Sequence, residues 1–205
     1  NVAPGTASGT YTMSDITSIA KSEIQETGGF SLTDTTGSVV AATPTAGMFS
    51  AGTITFASGA TVTLTAGESL ADVAAAFNAV TSGTNGTGIS ASIVQTASGT
   101  PNTYKLVFNS TSTGLAHAFD FSTTGAGQTV TSDPSGVLSS VTYTVDQPAQ
   151  DAQFKFNGVT VTRSTNSVSD LVSGVTFNLL QDTTSQPGAS FTVSAPGGAG
   201  VGMWA

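Results

Sequence analysis

From Gly52 onward the apolar residues alternate singly with polar ones, in runs too short to wind a helix, and turn-forming residues separate the runs. This pattern constrains the fold more than any other feature, because a period of two puts every second side chain on one face of a strand. Ile54 and Phe56 alternate, the chain turns over 57–60, and Val62 and Leu64 alternate again. That is a hairpin with a short loop. Ile89, Ala91 and Ile93 form the next run, and Tyr104, Leu106 and Phe108 the one after, with Gly99-Thr100-Pro101-Asn102 turning between them. Phe119 and Phe121 continue the pattern, and 122–140 reads as a Gly/Ser/Thr-rich loop. Four short strands follow, AQFKFN, VTVTR, GVTFNLL and ASFTVS, separated by Asn157-Gly158, by 164–173 and by Gln186-Pro187-Gly188. Asn157-Gly158 is the strongest hairpin signal, since a type I′ turn needs positive φ at both central residues. A mainly β fold of small sandwiches or meanders is expected.

One helix interrupts the strands. Leu70, Val73, Phe77 and Val80 in SLADVAAAFNAV are spaced three, four and three apart, which predicts a helix over 69–80 with one apolar face. Ser69 suits the N-cap, and Asp72 favours the positive end of the first turn. The turn Ser82-Gly83-Thr84-Asn85-Gly86 ends it, and Leu70, Val73 and Phe77 are the expected core face. Near the start the signal is ambiguous. Tyr11 and Met13 alternate as on a strand, whereas Ile16, Ile19, Ala20 and Ile24 also fit a helix face. Gly28-Gly29 breaks the chain before Phe30 and Leu32. Two linkers stand out, 35–51 around Pro44 and Gln147-Pro148, and they suggest a domain inserted into another.

Composition narrows the function classes. Four basic residues against twelve acidic ones give a net charge of −8, so no basic stripe exists to neutralise nucleic-acid phosphates or to hold an anionic membrane. No apolar run approaches the roughly 20 residues of a spanning helix. An apolar share of 38% is too high for a disordered tail. Cysteine is absent, which argues against a small disulfide-stapled domain. The Thr, Ser, Asn and Gly richness suits an extracellular bacterial protein. Asn1, with no initiator Met, and the Gly-rich run before Met203-Trp204-Ala205 read as ends within a longer chain.

Chemistry finds little to work with. A Ser-His-Asp triad has one candidate base, His117, with Asp120 three residues on and expected on the opposite face of a strand. One histidine and no cysteine are too few for zinc, and the acids lie singly, mainly in polar loops and helix edges, without a calcium-loop pattern. Asp151 and Asp170 read as turn caps through backbone amides. The run Gly197-Gly198-Ala199-Gly200-Val201-Gly202 lacks the Lys and the helix of a phosphate loop and reads as flexible tail. No catalytic, cofactor-binding or metal-ligating residue is therefore expected.

The stretch AQDAQFKFNGVTVTRSTNSVSDLVSGVTFNL at 149–179 closely resembles the bacterial flagellar filament-capping family, hook-associated protein 2. Ala149, Asp151, Ala152, Phe154, Asn157, Gly158, Arg163, Asn166, Val168, Asp170, Gly174, Val175, Thr176 and Leu179 fall in that family's order. Residues 52–114 are similar to the flagellin hook IN motif, with GTITF, SLADVAAAFN, GISASIV and YKLVFNSTSTG in sequence and Phe77 where the motif usually has Ile. The resemblance implies two outward-projecting β-rich domains, a base of 1–46 and 147–195 and an insert of 47–146, followed by a flexible tail at 196–205. It implies a structural and assembly role at the filament tip outside the cell. There a ring-like homo-oligomer of the full-length protein retains exported flagellin and helps it fold, and the exposed insert is free to touch host mucus. No heptad run or helical leg has a counterpart here. Two alternatives stay open: an adhesion module for mucus or carbohydrate, weakened by the lack of an aromatic platform, and a hook–filament junction protein sharing the IN motif.

Overall fold

The structure, a computed structural model, describes residues 9–32, 51–66, 68–97, 102–121, 128–133, 142–182 and 189–193. Pro44, the turn at 99–101, the Gln186-Pro187-Gly188 turn and the tail at 196–205 lie outside the described residues. In chain order the strands before the helix are β1 (Gly9–Ser18), β2 (Ile24–Thr27), β3 (Phe30–Leu32), β4 (Gly52–Phe56) and β5 (Thr61–Leu64). The helix α1 (Leu70–Ala79) follows, then β6 (Ile89–Ala97), β7 (Asn102–Ser110), a 3₁₀ turn at Leu115–His117, β8 (Phe119–Asp120), β9 (Gln128–Ser132) and β10 (Tyr143–Gln147). The last are β11 (Ala152–Phe156), β12 (Val159–Arg163), β13 (Ser167–Val172), β14 (Val175–Asn178) and β15 (Ala189–Val193). The fold is mainly β with a single α-helix among the described residues.

The chain packs as two compact units, one of residues 1–21, 113–115 and 149–205, the other of 22–112 and 116–148. The first crossing therefore lies between Lys21 and Ser22 and not near 46, as the linker composition suggests. The reason is pairing at long range. β2 and β3 hydrogen-bond to β7, with Ile24 opposite Asn109 and Phe30 opposite Tyr104, which places 24–32 in the second unit.

In the first unit the sheet order is β12-β11-β1-β15, every neighbour antiparallel. The helix option at 16–24 is overturned, because β1 runs as a strand to Ser18. Asp15 sits at φ 47, where the register against β11 shifts between Ser14 and Ser18. A bulge of this kind adds a residue and moves the apolar phase, which imitates helical spacing. Asn157 and Gly158, at φ 49 and 82, make the tight turn from β11 to β12. The segment 164–173, expected as a connection, instead contains β13, hairpinned onto β14 through Gly174 at φ 76. Met13, Ala20, Ala152, Phe154, Val168, Val172, Val175 and Leu179 form the core. Phe156 packs between Tyr11 and Phe177, its ring centroid 5.7 and 6.0 Å from theirs.

The second unit has two sheets, one ordered β10-β2-β7-β3 with β6 along β7, the other β5-β4-β9-β8. Strand β9 corrects the loop expected over 122–140, since Gln128–Ser132 pairs antiparallel with β4 and parallel with β8. Helix α1 lays Leu70, Val73 and Phe77, each 0% exposed, into the core. Phe77 meets Phe108 edge-on at 5.0 Å and Phe56 and Phe121 at 6.4 Å.

A capping box starts the helix. Asp72 N donates to Ser69 Oγ at 3.2 Å, and Ser69 N and Oγ donate to Asp72 Oδ2 at 3.0 and 2.7 Å. These two donors, the hydroxyl foremost, hold the Asp72 carboxyl below its usual range. A folded-state pKa lowered in this way stabilises above the unfolded carboxyl value, and the benefit is lost as pH falls through the lowered one. Ser69→Ala should cost about 1 kcal/mol at neutral pH. Urea titrations of both proteins at several pH values should show the gap narrowing as Asp72 protonates.

Candidate functional site

Ala152, Phe154 and Val175 lie in the first unit's core, Gly158 and Gly174 occupy left-handed turn positions, and Thr176 is exposed on β14. Two asparagines act as clamps. Asn157 N donates to Thr12 O at 2.8 Å while its Oδ1 accepts from Thr12 N at 2.9 Å. Asn166 Oδ1 accepts from Ala20 N at 2.7 Å and its Nδ2 donates to Ala20 O at 2.9 Å. Asn157 combines its backbone N–H with its side-chain oxygen, whereas Asn166 uses its side-chain amide alone, whose NH₂ and oxygen stand at the spacing of a peptide group and complete a β-ladder where the partner strand has ended. The same device fixes the helix of the second unit. Asn78 donates through Nδ2 to Ala91 O and accepts at Oδ1 from Ala91 N, both at 2.8 Å. Phe77 thus fills the core and its neighbour Asn78 binds the edge of β6, which gives the apolar-Asn pair of the hook motif a physical reason.

Asp151 accepts a backbone amide, but a remote one. Its Oδ1 takes the Leu115 N–H at 2.8 Å, and its carbonyl takes the Ser18 hydroxyl at 2.8 Å. Asp170 does not cap a turn; Arg163 Nε and Nη2 grip its two oxygens at 3.1 and 2.8 Å, and this pairing holds its carboxyl below the usual range. Residues 113–115 belong to the first unit by these bonds. Thr113 Oγ1 donates to Ser164 O at 2.7 Å and Gly114 N to Lys21 O at 3.0 Å. Gly114 has φ +99, and a Cβ there would lie 2.5 Å from Ser164 Cβ and 2.8 Å from its Cα. Gly114→Ala should therefore destabilise the first unit by about 1–3 kcal/mol through overpacking, read as a lower urea midpoint for probes in that unit.

A buried polar cluster escaped the sequence reading, which put the acids in loops and helix edges. Glu23 is 6% exposed and Gln25 3% exposed. Glu23 Oε1 accepts from Gln25 Nε2 at 2.6 Å and Oε2 from Phe119 N at 3.0 Å. Gln25 Nε2 also donates to Phe119 O at 2.8 Å, and Glu23 N to Ser110 Oγ at 2.9 Å. The cluster pins β8 to β2, and the signal for it, two polar residues in an IQ-type alternation, is too weak to find in sequence. His117 lies exposed on the 3₁₀ turn and not on a strand.

Against known proteins, residues 149–196 match the family described as flagellar hook-associated protein 2 C-terminus, and residues 49–112 match the flagellin hook IN motif. A flagellar hook-associated protein 2 from Helicobacter pylori is 48% identical over 48 residues, a match covering 23% of this chain and 7% of that protein. The fold agrees with solved structures. The flagellar cap protein FliD D2-D3 domains from Escherichia coli superpose with TM-score 0.65 at 23% identity, covering 95% of this chain and 93% of that one. FliD (HAP2) from Pseudomonas aeruginosa PAO1 does so with TM-score 0.60 at 21% identity, covering 95% and 82%. At such identities the likeness concerns the fold, which for this chain is that of the D2-D3 domains of hook-associated protein 2.

Proposed function

We propose that this chain is the outer, two-unit part of a flagellar filament cap, seated at the growing tip outside the cell. There it retains exported flagellin and helps it fold, as part of a ring-like homo-oligomer of the full-length protein. The observation that carries the reading is the hook-associated protein 2 segment at 149–196, joined in one chain to a hook IN motif at 49–112 within a D2-D3 fold. The action is steric and conformational, with rigid β units presenting surfaces and no bond made or broken. The match at 149–196 favours this over a junction protein that shares only the IN motif, and no observation favours adhesion. Deleting the parent gene and assaying the medium tests the proposal. Monomeric flagellin in the medium, with filaments restored by the full-length protein, supports it. Normal filaments without the protein refute it.

A further inference from the structure

The sequence holds two Asn-Gly pairs, Asn85-Gly86 and Asn157-Gly158, one in each unit. This pair is the one most prone to self-modification, because glycine's bare Cα leaves the following nitrogen open to the asparagine side chain. The Gly nitrogen, after losing its proton, attacks Cγ. The N–Cγ bond forms, the Cγ–Nδ2 bond breaks, and the amide nitrogen leaves as ammonia with a proton from solvent. Water then opens the cyclic imide at either carbonyl, giving aspartate or its β-linked isomer. One water is consumed, one ammonia is released, and no electrons change hands.

We propose that Asn85 is a deamidation site of the folded protein, and that Asn157 is a latent site which reacts only when the first unit opens. Asn85 is exposed in the 81–86 turn, and its side chain makes no hydrogen bond among the described residues. Its attacking nitrogen is held by one bond, Gly86 N to Gly83 O at 3.0 Å, between residues at the loop tip. Openings this local are the least costly in a fold. The opposite arrangement holds at 157. There the electrophile is fixed, with Asn157 Oδ1 accepting from Thr12 N and the Asn157 N–H given to Thr12 O. Both residues are also held at positive φ by the turn, with Phe156 paired to Val159 across it and Met13 paired to Phe156 beside it. Closing the imide ring would swing the 157–158 peptide out of that turn and break the Thr12 clamp. Asn157 therefore reacts only through separation of β1 from β11. The clamp that shapes the first unit also shields its most labile bond.

The test incubates the 205-residue chain at mildly alkaline pH, folded and in urea, and quantifies both sites by peptide mapping with mass spectrometry. In the folded protein Asn85 should convert at least about tenfold faster than Asn157, the gap set by the cost of opening the sheet. In urea the two rates should converge. An Asn157 that keeps pace with Asn85 in the folded protein overturns the proposal. So does an Asn85 that stays intact when folded, or a gap that persists in urea, which would assign the difference to flanking sequence.

Discussion

Phe77→Ala is expected to cost about 3–5 kcal/mol and to lower the unfolding midpoint of the second unit. The ring is fully buried, and three other phenylalanine rings meet it edge-on. Its removal loses the transfer energy of the ring and the edge-to-face contacts, and leaves a cavity between a helix and two sheets that cannot all close in. Phe77→Ile, which places the residue usual in the hook motif here, should cost less, about 1.5 kcal/mol or under once neighbours repack. Urea denaturation followed by amide exchange in β7 separates the two variants. A Phe77→Ala protein as stable as its parent would mean that the helix does not anchor this core.

Glu23→Ala should cost about 4 kcal/mol, because it orphans two buried donors, the Phe119 N–H and one hydrogen of Gln25, each worth about 1–3 kcal/mol when left unpaired. Glu23→Gln is the informative companion. Its amide keeps the shape but turns an NH₂ toward one of the two donors, so a donor faces a donor. Both variants should loosen β8 first, seen as faster amide exchange at Phe119. If Glu23→Gln exchanges no faster than the parent, the carboxylate is not what holds that strand.

The sequence disclosed the elements whose reason for being is local. Helix α1 announced itself through an apolar face and a capping box lying within four residues, and the Asn157-Gly158 turn through two residues that tolerate positive φ. The misses have a common cause in pairing partners far away. Strand β13 hides because its register against β14 shifts between Val168 and Val172, so its apolar residues do not alternate. Strand β9 offers a single Val among polar residues and exists by pairing with β4, more than seventy positions earlier. The crossing at Lys21–Ser22 carries no Gly or Pro, whereas 35–51 is rich in small residues and drew the boundary too late. The same logic applies to the amide clamps. Asn78, Asn157 and Asn166 read as ordinary helix-edge or turn residues, and only the fold puts Ala91, Thr12 and Ala20 opposite them.

The first unit's sheet joins residues from both ends of the chain; Thr12 and Asn157, which clamp each other, are 145 positions apart. The second unit is by contrast built almost wholly from one continuous run between them. This dictates an order of events. While 22–148 is unfolded, bringing β1 to β11 means closing a very long flexible loop. Once that run is compact its ends stand together, and the entropic cost of closure falls by about 3 kcal/mol. The second unit should therefore form first and act as the template on which the first closes. A chain emerging in the order of its residues would hold β1 without its β11 partner until the whole of the second unit had followed.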